Sequence, residues 1–238
     1  MNPSSEKLLE AIHQARRTKT VLTTHTQREL TLEQAYAIQS QGFAGRTLKG
    51  YKLGLVSRAK QQQMGLDHPI YGRISPEMLL ESPVQLADFL QPRIEPEVAV
   101  VLKDDLAPNA TPGQAMKAVG GFFIGIDFLD SVWAGYRFSA SEVVADNASG
   151  GAFLIAAKRL GSLPSGTLRL WLNGDLLTEG PVEALGDPYV RLAWLAGSVG
   201  GLEAGQVVFL GSPATAVPAS AGVLELTSEG GCLSALLV

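Results

Sequence analysis

Apolar residues recur at helical spacing near the start of the chain. Leu8, Leu9, Ile12 and Ala15 fall within residues 5–17, and that period predicts an amphipathic helix. A second helix is expected over 31–41. Thr31-Leu32-Glu33-Gln34 has the form of a capping box, a hydroxyl N-cap followed three residues later by glutamine, and it turns Ala35 and Ile38 inward. Gly42, Gly45 and Gly50 then break the pattern. Ser75-Pro76, Thr111-Pro112-Gly113-Gln114 and Asp187-Pro188 each place a capping side chain before a proline at the first helical position. They predict a short helix through Met78 and Leu79, a helix with its own capping box, and a helix with Leu192, Trp194 and Leu195 on its apolar side. Between these, residues 98–102, 122–129, 207–210 and 223–226 read as strands. Residues 167–172 alternate strictly and then meet Asn173-Gly174, a strong hairpin signal. The expected class is α+β: a helical N-terminal region over 1–47 ahead of a β-rich core over 48–238, forming one compact unit.

Composition narrows the class further. The chain has 238 residues, 46% of them hydrophobic, which is ample for a core and too apolar for disorder. Charged residues interrupt every apolar stretch well short of the ~20 residues of a membrane span. Met1-Asn2-Pro3-Ser4-Ser5-Glu6-Lys7 lacks the layout of a signal peptide, so a cytoplasmic protein that does not engage a membrane is expected. One cysteine, Cys232, excludes an internal disulfide framework and a cysteine-based zinc site. The net charge of -4 is uneven, because residues 1–60 hold ten Lys/Arg against four Asp/Glu. Those charges are interspersed with acids and apolar helical positions, without aromatic interleaving. They read as a solvated helix surface rather than a nucleic-acid face. His13, His25 and His68 show no metal-ligand spacing and read as ordinary histidines.

The chemistry concentrates in acids that interrupt apolar strands. In Pro92-Arg93-Ile94-Glu95-Pro96-Glu97-Val98, the two-residue period of a strand puts Glu95 and Glu97 on one face. Two carboxylates so close repel, and a hard divalent cation resolves the conflict. An exposed edge with two solvated glutamates explains the same pattern as readily. Asp127 and Asp130 interrupt the strand that begins at Phe122, where a buried acid implies a cation or a hydrogen-bonded role; for Asp130 the simpler role is capping a turn. Lys52, between Gly50 and Gly54, sits where a lysine could project into a pocket. Asp146-Asn147-Ala148-Ser149-Gly150-Gly151 is a polar, glycine-ended loop with donors suited to a carboxylate. Taken singly, a surface lysine and an Asx-turn loop are the default readings of these last two.

Taken in order, these segments resemble the fumarylacetoacetate hydrolase superfamily, in the branch of 2-oxopent-4-enoate hydratases and 4-oxalocrotonate decarboxylases. The likeness spans roughly residues 32–228. The family's G-x-K-x-G-L-T-S falls on Gly50 to Ser57, its P-x-[IV]-E-x-E-[IV]-A on Pro92 to Ala99, and V-A-D-N-A-S on Val144 to Ser149. G-x-P falls on Gly186-Asp187-Pro188, and two late patterns on Ala204 to Val208 and Ala216 to Gly222. Pro69-Ile70-Tyr71-Gly72 follows the decarboxylase form, since the hydratases usually carry an acid where Ile70 stands.

The resemblance implies a mixed-sheet catalytic core of the hydrolase's C-terminal type. It assigns Glu95, Glu97 and Asp127 to Mg²⁺ or Mn²⁺, and Lys52 to stabilising negative charge on the substrate. It places Ser57, Ile70, Asp146, Ser149 and Ser212 around a 2-oxo acid that loses CO₂, a 2-oxo-3-hexenedioate type of compound from aromatic meta-cleavage catabolism. Hydration of 2-hydroxypenta-2,4-dienoate is the alternative on the same scaffold, and a non-catalytic subunit supporting an active relative is a third reading. Assembly into homo-oligomers and association with a hydratase of the family are also implied. The chain departs from the family pattern at Asp127, where glutamate is usual, at Val132, where D-S-R has an arginine for which Arg137, a few residues on, could compensate, and at Val56, where threonine is usual.

Overall fold

A computed structural model describes residues 3–23 and 30–238; Met1, Asn2 and His25 lie outside the described residues. The chain opens with α1 (Pro3–Thr18) and α2 (Leu32–Gly42), and the Thr31 capping box is formed as expected. There follow β1 (Gly50–Gly54), α3 (Arg58–Gln63), β2 (Ile70–Ile74), β3 (Arg93–Leu102), α4 (Pro112–Ala118), β4 (Val119–Leu129), α5 (Ala140–Ala145) and β5 (Gly150–Ile155). β6 (Thr167–Leu172), β7 (Asp175–Pro181), α6 (Pro188–Val199), β8 (Val207–Phe209), β9 (Val217–Pro218), β10 (Gly222–Ser228) and β11 (Gly231–Leu237) complete it. The Asn173-Gly174 turn joins β6 to β7, with both residues at positive φ, as a tight hairpin requires. Thr111 and Asp187 cap α4 and α6 as expected. The Ser75-Pro76 signal yields only a single 3₁₀ turn, Pro76–Met78, without a side-chain cap.

The mixed sheet runs β2-β1-β8-β3-β4-β5, with β9 added to β3, and only β1 and β8 are parallel. A second sheet, β11-β10-β6-β7, is antiparallel throughout. Strand alternation gives the mixed sheet two unlike faces. Tyr51, Leu53, Val98, Val100, Ile124 and Ile126 point to one side and share a core with Leu168, Leu170, Leu224 and Leu226 of the second sheet and with α4 and α6. The opposite side carries Ala99, Phe153, Val207 and Phe209, and along the same strands Lys52, Glu95, Glu97 and Asp127. A third apolar cluster joins Leu8, Ile12, Ala35 and Ile38 of α1 and α2 to Ile70, Val132 and α5. The N-terminal helices are therefore packed against the segment that ends at Ser149. Among the described residues no helix is long and apolar enough to cross a membrane.

Candidate active site

The register of β3 against β4 sets the centre. Glu95 lies opposite Asp127, and Glu97 lies opposite Gly125 on the same face. Gly125 leaves the room this needs, because a Cβ there would stand 2.6 Å from the Phe209 ring. Lys52 enters from β1, and its Nζ lies 2.5 Å from Asp127 Oδ2. Lys52, Glu97 and Asp127 are all at most 2% exposed, while Glu95 is half-buried and reaches the cavity above. Glu97 Oε2 accepts a hydrogen bond from Gly211 N at 2.9 Å. Gly211 has φ +91 and a Cβ there would stand 2.5 Å from Val56 Cγ1, so the turn after β8 admits no side chain.

Electrostatics follow from burial. Desolvation pushes the Glu97 carboxyl well above its usual range and Asp127 adds to this, with Lys52 opposing. Burial also raises Asp127 against the pull of Lys52, and raises Glu95 against Lys60 and Lys52. For Lys52 burial works against the ammonium, but Asp127, Glu97 and Glu95 outweigh it and hold its pKa above the ordinary lysine value.

Three carboxylates thus face one ammonium, and Asp127 Oδ1 is buried without a hydrogen-bond partner among the described residues. Hard oxygen donors with excess negative charge suit a divalent cation. Among the described residues, though, no three acids or histidines are already drawn together as a ligand set. The Lys52–Asp127 contact fills that space instead.

Above the acids lies a cavity of about 750 Å³, with Leu53, Leu55, Val56, Met64, Ile70 and Phe138 among its lining side chains. Lys52, Ile70, Glu95, Ser149 and Ser212 all line it. Ser212 spends its hydroxyl on Ala214, donating to the carbonyl and accepting from the N–H. The Ser149 hydroxyl is buried with no hydrogen-bond partner among the described residues and is free for a ligand. Ser57 stands outside the wall as the N-cap of α3, accepting from Lys60 N. Asp146 also stands outside it. Its oxygens take Arg16 at 2.6 Å and Val132 N at 2.8 Å, behind the loop. Asp130 is likewise structural, accepting from Leu90 N and Gln91 N. Cys232 is free and exposed, and His68 stacks on Trp194.

Arg137, the arginine the sequence offered in place of the one missing at Val132, lines the cavity. Other contributors were not singled out from sequence. Lys60 and Arg93 also line the cavity, and none of these three cations makes an ion pair among the described residues; Arg93 sits over the Tyr136 ring. Arg191 donates to Leu210 O and Val56 O at the base of the site. The residues before Ser149 are unusual as well. Asn147, Ala148 and Ser149 all have left-handed φ, of 51°, 54° and 55°, which costs ~1 kcal/mol or more for each. Asn147 offsets this by bonding both the N–H and the carbonyl of Arg73.

Comparison with known proteins identifies the family. The profile of the fumarylacetoacetate hydrolase C-terminal region matches residues 57–230. A 4-oxalocrotonate decarboxylase from a Pseudomonas species is 32% identical over 187 residues, covering 73% of this chain and 72% of that one. A 2-hydroxyhexa-2,4-dienoate hydratase from Comamonas testosteroni is 30% identical over 236 residues, covering 91% and 89%. The structure of 4-oxalocrotonate decarboxylase from Pseudomonas putida G7, complexed with magnesium and adipate, superposes with a TM-score of 0.89 at 27% identity, covering 98% of this chain and 97% of that one.

Proposed function

The chain belongs to the fumarylacetoacetate hydrolase family and is a lyase of its decarboxylase and hydratase branch, and from that premise we propose that it decarboxylates a 2-oxo-enedioic acid of the 2-oxo-3-hexenedioate type, giving 2-hydroxypenta-2,4-dienoate and CO₂. The observation that carries the reading is the Lys52–Asp127–Glu97–Glu95 cluster, which opens through Lys52 and Glu95 onto a largely apolar cavity with cations on its wall.

Glu95, Glu97 and Asp127 are the residues that would hold Mg²⁺ or Mn²⁺, and the related decarboxylase was solved with magnesium. When bound, such an ion supplies Lewis-acid polarisation of the 2-oxo group. The chain's own residues do the rest. Lys52 keeps its proton despite burial, so its ammonium is a donor for the oxygen on which negative charge develops. As the C5–C6 bond breaks, its electron pair moves through the conjugated C3–C4 double bond toward that oxygen, which takes a proton. The unpartnered Ser149 hydroxyl orients the substrate. Lys60, Arg93 and Arg137 supply positive charge for a second carboxylate. Ile70 is 2% exposed in the wall and offers no proton, where hydration would need a second acid or base. That buried isoleucine favours decarboxylation over hydration.

The test is product analysis. With 2-oxo-3-hexenedioate and Mg²⁺ the protein should release CO₂, lose that activity to chelator and regain it with Mg²⁺ or Mn²⁺. Conversion of 2-hydroxypenta-2,4-dienoate to a 4-hydroxy-2-oxo acid, without gas, would make it a hydratase instead. Activity appearing only beside an added hydratase of the family would make it a supporting subunit. Self-association and pairing with such a hydratase belong to the same proposal, and light scattering of the protein alone and mixed reads both.

A further inference from the structure

The loop that presents Ser149 is held from outside residues 57–230, the span that the family profile matches. Arg16 lies on α1, ahead of the matched residues 57–230. Its guanidinium donates to Asp146 Oδ1 at 2.6 Å, to the Asp130 carbonyl at 3.0 Å and to Asp130 Oδ2 at 3.4 Å. Those two acids bracket the site. Asp130 follows the end of β4, three residues after Asp127, and Asp146 immediately precedes the left-handed run Asn147-Ala148-Ser149. The two segments also meet directly, since Asp130 N donates to Ser149 O at 2.8 Å and Ser149 N to Asp146 O at 2.9 Å.

We infer that Arg16 is a positioning residue of the site: it clamps Asp130 to Asp146 and so holds the strained Asn147-Ala148-Ser149 turn with its serine hydroxyl in the cavity. Three consecutive non-glycine residues in the left-handed region persist only where their surroundings enforce them. Asn147 enforces one side of the turn through Arg73, and Arg16 enforces the other. The pairing is not of the weak surface kind, because the carboxylates of Asp130 and Asp146 are 4% and 0% exposed. The forked geometry matters too. One guanidinium meets a carboxylate and a carbonyl on different segments, which a lysine ammonium would not reproduce. Packing of Leu8, Ile12 and Ala15 fixes the helix that delivers it. The clamp therefore makes the N-terminal helix part of the site without touching a ligand.

The experiment uses the full chain with Arg16→Gln and Arg16→Lys, and with Ser149→Ala. Hydrogen exchange should quicken about tenfold or more over 145–152 in Arg16→Gln, while 94–102 in β3 keeps its wild-type protection. Arg16→Lys, which retains the charge and is the variant to use should the glutamine form fail to fold, should loosen the same segment to a smaller extent. Unchanged exchange over 145–152, or equal acceleration across the whole chain, overturns the inference. In calorimetry with Mg²⁺ and oxalate or adipate as probes, Arg16→Gln and Ser149→Ala should each weaken at least one probe about tenfold, and the double variant should be no weaker than either single. Additive losses, or a Ser149→Ala protein that binds both probes as the wild type does, also overturn it. The ligand part rests on the proposed function and the exchange part does not. Wild-type protein that binds neither probe counts against the function, while the exchange result still decides the clamp.

Discussion

Lys52 and Asp127 meet at 2.5 Å although their strands, β1 and β4, are separated by β8 and β3. Three strand spacings in a flat sheet would hold their backbones ~14 Å apart, so the contact records the curl of the sheet around the acids. Lys52→Met removes the ammonium and leaves three carboxylates facing each other. Losing one partner of a buried pair costs roughly 3–5 kcal/mol. The variant should unfold well below the wild type in chelator, recover part of the difference with Mg²⁺, and turn over at least ~10²-fold more slowly. Thermal unfolding with and without Mg²⁺, beside CO₂ release, checks this. Wild-type stability of the variant in chelator would show that the pair carries no weight.

The raised acids make a second expectation. Glu95, Glu97 and Asp127 are pushed upward by burial, whereas in the unfolded chain they ionise near pH ~4. Between that value and the raised ones the folded protein binds more protons than the unfolded, so stability falls as pH rises. In chelator the midpoint of unfolding should drop from pH 5 toward pH 8, and Mg²⁺ should flatten the slope. Glu97→Gln should flatten it without metal and raise the chelator midpoint at pH 8; about 1 kcal/mol corresponds to roughly 2–4 °C in a chain of this size. A midpoint that climbs with pH in chelator would contradict the charge assignment.

How much of this was readable in the chain depends on the range of the interaction. Glu95 and Glu97 share a face because a strand has period two, and the caps at Thr31, Thr111 and Asp187 are local, so all were legible. The pairing of Glu95 with Asp127 is a matter of register, which no local pattern encodes. Arg16 reads as one more polar position on an amphipathic helix, since its partners lie 114 and 130 residues away. Asp146 looks like a ligand group in a loop, and only the fold shows its oxygens turned to Arg16 and Val132. α5 is six residues long, too short for a period, though its Ser139–Glu142 capping box was a signal within reach. Ser75-Pro76 misled in the other direction, because a helix start without a following apolar period closes only one turn.

Gly125 tests whether the centre is packed as tightly as it looks. A methyl group there would come within 2.6 Å of the Phe209 ring and 2.8 Å of the Leu154 carbonyl, and the latter is backbone that moves little. Gly125→Ala should cost about 1–3 kcal/mol and shift Glu97, its cross-strand neighbour. Denaturant unfolding together with Mg²⁺ affinity reads both effects, and a variant neutral in both would mean that the sheet yields there.

Ile70 offers a test of reaction type. It lies opposite Gly54 across β1 and β2, is 2% exposed and lines the cavity. Ile70→Asp supplies the acid that hydration needs and admits water. It should lower CO₂ release at least tenfold, at a stability cost of ~1–3 kcal/mol for the buried polar group. Chromatography of products from the dienoate substrate then asks whether hydration has appeared. Unchanged CO₂ release would remove Ile70 from the account.

The cations on the cavity wall separate dicarboxylate from monocarboxylate substrates. Lys60 and Arg137 form no ion pair among the described residues, although Lys60 lies near enough to Glu95 to oppose its upward shift, so their charge is available to a second carboxylate. Losing a hydrogen bond to a charged group costs ~1.5–3 kcal/mol. Lys60→Ala and Arg137→Ala, singly and together, should therefore raise KM for the enedioate about tenfold or more, with a smaller change in kcat. Because the loss is confined to the distal end, oxalate, which offers only the two-oxygen head of a 2-oxo acid, should bind these variants almost as it binds the wild type. Calorimetry with oxalate beside steady-state kinetics makes the comparison. A proportional loss for both ligands would mean that these cations set the overall field of the cavity rather than reading a second carboxylate.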